Sequence, residues 1–112
     1  VLVTAGPTFE AIDPVRFIGN RSSGKQGIAI AKAFSELGAN VTLVLGPSSQ
    51  KVSEHIRVIN IETAKDMLEA VKEIKNIDVA ICAAAVSDWA IKNPSKNKIK
   101  KNNEKIPRIS FA

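Results

Sequence analysis

Residues 16–25 read Arg16-Phe17-Ile18-Gly19-Asn20-Arg21-Ser22-Ser23-Gly24-Lys25, and they gather three cations, an amide, two hydroxyls and two glycines. An apolar-periodic run over residues 28–37 follows and reads as a helix. The first N–H groups of a helix lack intrahelical partners and carry partial positive charge. A Gly- and Ser-rich turn placed there among cations suits a phosphate or a carboxylate. A second set of residues, Ala83, Ala84, Ala85 and Asp88, closes another apolar run. A third is a lysine segment: residues 92–105 hold six lysines and one glutamate, a local +5, whereas residues 1–91 carry −1. Lysines so grouped either meet a polyanion or form a solvated loop, and both readings are open.

The elements that must hold these residues follow from hydrophobic pattern. Residues 1–5 form an unbroken apolar run, as in a central parallel strand covered on both faces. Residues 41–45, 56–61 and 79–86 read as three more strands. In the first helix Ile30, Phe34 and Leu37 fall on one face, and Gly27 and Ala31 offer a small-residue surface for close approach to the sheet. Ser22 or Ser23 is expected to cap it, and Gly38 to end it. Thr63-x-x-Asp66 resembles a helix-start box, followed by Met67, Val71 and Ile74 on one face. This order predicts a Rossmann-like, doubly wound, mainly parallel α/β sheet. Right-handed crossovers put residues 1–5 in the middle with residues 79–86 alongside. The crevice above the C-terminal ends of those two strands is the expected ligand site, lined by Gly6, Ser22, Ser23, Gly24 and Ala84.

Composition narrows the function classes. At 112 residues there is room for one small domain. No apolar run approaches the ~20 residues that cross a bilayer, and no membrane partner is expected. The chain has a single cysteine, Cys82, in an apolar run; it reads as an inert buried thiol, and a reducing cytoplasm fits. Trp89 reads as core, and the lone His55 as surface. Aromatic residues make up 4% with no tyrosine, so base-stacking platforms are poorly supported and no nucleic-acid partner is expected. No His/Cys/Asp cluster has the spacing of a metal site.

Known phosphate loops match poorly. Gly19-Asn20-Arg21-Ser22-Ser23-Gly24-Lys25-Gln26 nearly follows G-x-x-x-x-G-K-[ST], but Gln26 stands where the magnesium-ligating hydroxyl belongs. About a dozen residues also part this loop from its strand, whereas the pattern requires direct succession. The fingerprint G-x-G-x-x-G is absent, and Gly46-Pro47 stands where a ribose-binding acid would follow the second strand. A nicotinamide-dependent Rossmann reductase and a non-catalytic nucleotide- or nucleic-acid-binding module remain as alternative readings.

Taken together, Thr4-Ala5-Gly6-Pro7-Thr8, Ile12-Asp13-Pro14-Val15-Arg16-Phe17-Ile18, Asn20-Arg21-Ser22-Ser23-Gly24-Lys25, Ala84-Ala85-Val86-Ser87-Asp88-Trp89 and Lys98-Ile99-Lys100-Lys101 resemble phosphopantothenate–cysteine ligase. In many bacteria that enzyme is the C-terminal half of a bifunctional coenzyme A biosynthesis flavoprotein. The resemblance covers residues 1–101 in order and fades beyond, which implies an incomplete domain. It implies a two-step ligation: the carboxylate of 4′-phosphopantothenate attacks the α-phosphate of a nucleoside triphosphate, and L-cysteine then attacks the acyl-nucleotide. The lysine flap looks bacterial and favours CTP over ATP, with Mg²⁺ bridging phosphates and a homodimer as the assembly. FMN is implied only if a decarboxylase domain is fused upstream. By the same resemblance Lys98 contacts the triphosphate and Asn20 serves the acyl-nucleotide. Arg16 either forks onto an anion or pairs with Asp13. Asp88 either holds a ribose or base edge or caps a turn. Ala83, Ala84 and Ala85 either let a base lie against backbone or simply pack closely.

Overall fold

Strand β1 (Leu2–Ala5) is buried along its whole length, which its unbroken apolar run required. The computed structural model describes residues 1–98 and 110–111. A short antiparallel hairpin follows, made of β2 (Phe9–Ala11) and β3 (Phe17–Gly19). Then come α1 (Lys25–Glu36), β4 (Thr42–Leu45), β5 (Arg57–Asn60), α2 (Ala64–Glu73) and β6 (Ala80–Cys82). The main sheet has the order β5-β4-β1-β6 with every pairing parallel. The chain is therefore a Rossmann-like α/β domain with β1 inside and β6 beside it, as the order of elements predicts.

Alternation along the strands builds two cores. Val3, Ala5, Leu43 and Leu45 point to one face and meet Ile28 and Ala31 of α1. Leu2 and Val44 point to the other and meet Met67 of α2. Full burial of side chains such as Leu43, Val44 and Val3 stabilises by roughly 1.5–3 kcal/mol each. Gly27 lets α1 settle close: a Cβ there would lie 2.3 Å from the Ala5 Cβ. At the start of α2 the box is complete, with Thr63 Oγ1 accepting from the Asp66 N–H and Asp66 Oδ2 accepting from the Thr63 N–H.

Several expectations are corrected. Neither serine caps α1; Gly24 occupies the cap position at φ +79°, a left-handed conformation that glycine adopts without strain, while Ser23 Oγ accepts the Lys25 N–H at 3.3 Å. Leu37 is 85% exposed because α1 ends one residue before it, and Gly38 turns the chain away. The regular part of the last strand is only Ala80–Cys82, yet bonds to β1 continue from the Val79 carbonyl to the Ala85 amide. Cys82 is exposed, since β6 has one strand neighbour among the described residues and α2 packs over β4. Trp89 is 59% exposed, its ring tilted against Phe111 at 5.5 Å. His55 lies on the surface, as expected. The hairpin was not anticipated. Asp13 Oδ1 accepts the N–H groups of Val15 and Arg16 at 2.9 and 2.7 Å and so closes its turn, while Phe9 and Phe17 stack at 3.9 Å across it.

Candidate anion and nucleotide site

The turn between β3 and α1 is held from two sides. Asn20 Nδ2 donates to the Ala85 carbonyl at 3.0 Å, which ties the turn to the chain leaving β6. On the other side the Ser48 hydroxyl donates to the Ser23 carbonyl at 2.5 Å, from the loop after β4. The loops after β4 and β6 leave the C-terminal ends of parallel strands, where an open α/β sheet binds its ligands, and the turn after β3 meets them there. A hollow of about 340 Å³ opens between the start of α1 and the end of β6, with Arg21, Ser22, Ser23, Gly24, Lys25 and Ala83 in its wall.

Among the described residues two cations and no carboxylate line this hollow. The first intrahelical bond of α1 runs from the Ile28 N–H to the Gly24 carbonyl. The amides of Gln26 and Gly27 precede it, and both residues line the same wall. The start of a helix, with its positive dipole end, and two residues with cationic side chains thus line one hollow, a setting suited to a phosphate group. Two further hollows, of about 480 and 310 Å³, sit at the opposite end of the sheet beside Asn40. That is the N-terminal end of the parallel strands, away from the switch between crossovers.

The expected site residues are placed as follows. Ser22, Ser23 and Gly24 line the hollow. Gly6 abuts it, since a Cβ built on Gly24 would lie 3.4 Å from the Gly6 Cα. Ala84 corrects the expected layout: its side chain joins the Leu2–Val44–Met67 cluster on the α2 face, and Ala83 takes the place beside Gly24. The reason is strand parity, because neighbouring residues of an extended chain point to opposite faces. Ala85 contributes its carbonyl to Asn20. Arg16 sits 3.7 Å from Asp13, whose side chain is fully buried, while the Arg16 side chain is 47% exposed. Asp88 is exposed beyond the end of β6, inside a turn that Ser87 Oγ closes by donating to the Trp89 carbonyl. Lys98 is exposed; its segment is fixed to the hairpin where the Ser95 N–H donates to the Ile12 carbonyl at 2.9 Å. Of the lysine flap expected over residues 92–105, residues 99–105 lie outside the described residues.

Sequence reasoning passed over Thr8 and Ser48. Thr8 stands in a motif of the resemblance but was given no side-chain role, and Ser48 was given none either; their partners, Ser87 and Ser23, are distant in sequence. Among the described residues no group of three or more His, Cys, Asp or Glu is arranged to hold a metal ion. No helix among the described residues is long and apolar enough to cross a membrane.

The sequence pattern of the DNA/pantothenate metabolism flavoprotein C-terminal domain matches residues 1–112. The coenzyme A biosynthesis bifunctional protein CoaBC of Haemophilus influenzae is 47% identical over 108 residues, covering 95% of this chain and 27% of that protein. A cysteine/cysteine sulfinic acid decarboxylase from an unknown prokaryotic organism is 50% identical over 105 residues, covering 92% of this chain and 29% of that protein. The chain thus spans under a third of the length of these relatives. The crystal structure of the C-terminal domain of a CoaBC superposes with a TM-score of 0.77 at 45% identity, covering 88% of this chain and 53% of that one.

Proposed function

The chain belongs to the family of DNA/pantothenate metabolism flavoprotein C-terminal domains, and from that premise we propose that it is part of a ligase joining 4′-phosphopantothenate to L-cysteine in coenzyme A biosynthesis. A substrate carboxylate oxygen attacks the α-phosphorus of CTP, and pyrophosphate leaves. The amine of cysteine then attacks the acyl carbon, CMP departs, the amine loses a proton, and an amide results. The carrying observation is the hollow at the start of α1, lined by Arg21, Lys25 and the first residues of the helix, with no carboxylate among the described residues of its wall. Such a site meets the anionic charge that builds up on a transferring phosphoryl group.

In this reading Gly6, Ser22, Ser23, Gly24, Ala83 and the Ala85 backbone form the nucleotide bed, with Asp88 at the ribose or base edge; Ala84 packs on the opposite face. Lys98 neutralises the triphosphate. Arg16 orients an anionic substrate group, released from or shared with Asp13. Asn20 presents its carboxamide to the acyl-nucleotide, and Mg²⁺ arrives with the triphosphate. A homodimer is the proposed assembly. Two differently named relatives share this segment, so the activity rests on the site and not on a name.

The experiment is pyrophosphate release by the full-length protein, dependent on 4′-phosphopantothenate, with CTP compared against ATP. CTP is expected to be the better substrate. Lys98→Gln is expected to depress acyl-nucleotide formation far more than Lys105→Gln, although each removes one charge. Asn20→Asp should form the acyl-nucleotide and pass it to cysteine slowly, by roughly the 2.7–4 kcal/mol of a lost oxyanion donor. Turnover of a nicotinamide cofactor would overturn the reading. So would salt-steep oligonucleotide binding with no preference for triphosphates.

A further inference from the structure

Resting on the ligase reading, we propose that Thr8 is a positioning residue: its hydroxyl extends the β1–β6 ladder by one rung and thereby sets both Asp88 and the Asn20 carboxamide. The rungs form a regular series. The Ala83 N–H donates to the Thr4 carbonyl at 3.0 Å, and the Ala85 N–H donates to the Gly6 carbonyl at 2.9 Å. The next donor in register is the Ser87 N–H, and it meets Thr8 Oγ1 at 2.8 Å. A main-chain carbonyl cannot take this place, because the chain beyond Thr8 departs into the hairpin, with the Phe9 N–H bonded to the Glu62 carbonyl at 2.6 Å. The side chain of Thr8, 0% exposed, supplies the acceptor that the backbone withdraws.

Two consequences follow for the site. Ser87 is held in the extension of β6, so the position of Asp88 one residue later is set by Thr8. The Thr8 N–H also donates to the Ala85 carbonyl at 3.3 Å, and that oxygen accepts from Asn20 Nδ2 as well. A carbonyl has two lone pairs, and here both are used. Thr8 therefore grips the segment on both sides of Val86, and its grip fixes the oxygen that orients Asn20. Thr8 touches no reacting atom in this arrangement; it acts through Ser87 and Ala85.

The test uses Thr8→Val, which keeps the branched shape and removes the acceptor, and Thr8→Ser, which keeps the acceptor and removes a methyl. Amide exchange is followed by NMR, and nucleotide KM and kcat are measured in the full-length protein. Thr8→Val is expected to speed exchange at Ser87 by about tenfold or more, as befits an amide that has lost its partner, and to leave Ala83 little changed. Nucleotide KM should rise by a similar factor, and kcat should fall with Asn20 less well set. Thr8→Ser should restore slow exchange at Ser87 and most of the KM. Unchanged exchange at Ser87 in Thr8→Val overturns the inference, as does an equal loss in both variants. If the exchange pattern appears as expected but the unsubstituted protein ligates nothing, the ligase reading fails and the rung itself stands.

Discussion

Gly27 is where α1 comes nearest to β1, and the spacing leaves no room for even one methyl group. A Cβ at this position would lie 2.3 Å from the Ala5 Cβ and 3.1 Å from the Ala5 Cα. Gly27→Ala gains up to about 1 kcal/mol of helix propensity. Overpacking costs about 1–3 kcal/mol and is expected to win, because the opposing atoms belong to a central strand. The urea midpoint should fall, and anion affinity with it, since the shift moves the first turn of α1. This contact was legible in the sequence, because Gly27 and Ala31 are small residues at helical spacing on the side that needed them. Other residues were not. Leu37 fits the apolar period of α1 but falls after its last turn, and periodicity does not say where a helix stops. Ala83, Ala84 and Ala85 look alike as letters. Which of them faces Gly24 depends on register with β1, and that is settled by pairing between residues some eighty positions apart.

At the scale of elements, the start of α2 shows what local chemistry can specify. The two reciprocal bonds of the Thr63–Asp66 box satisfy donors at both ends of one turn. Thr63→Ala is expected to cost about 1 kcal/mol, in the range of lost N-caps, and to lower the thermal midpoint without altering ligand affinity. Circular dichroism melting alongside a nucleotide titration checks both halves. Such a box is readable because all its atoms lie within four residues. The hairpin of β2 and β3 was not readable for the opposite reason. Each strand has three residues, too few to show an alternation, and the pairing depends on the Asp13 side chain and on Phe9 meeting Phe17. The turn after β3 lies between these cases. Its cations and small polar residues, Arg21, Ser22, Ser23, Gly24 and Lys25, are local and readable in the sequence. Its fastening to Ala85 and Ser48 is tertiary and appears only in the fold.

Over the whole molecule, the inner place of β1 and the place of β6 beside it followed from the strand pattern and connection rules, because right-handed crossovers leave few ways to place them. The lysine segment obeys a different rule. Its base is pinched: Ile91 and Phe111 form an antiparallel bridge, and the Lys92 N–H donates to the Ser110 carbonyl at 2.7 Å. Replacing residues 96–108 with a short Gly/Ser turn removes six cations and one anion and brings the formal net charge of +5 to zero. The fold should be unharmed, within about 1 kcal/mol, because loop-closure entropy changes slowly with length. Triphosphate association should slow and lose most of its salt dependence, since the steering charge has gone. Melting curves and stopped-flow binding at two ionic strengths measure the two effects separately. A segment closed at its own base is also a replaceable part. Its length and charge can change without any new solution for the packing of the sheet, so under the proposed ligase activity nucleotide preference would be free to drift there while the turn before α1 stays as it is.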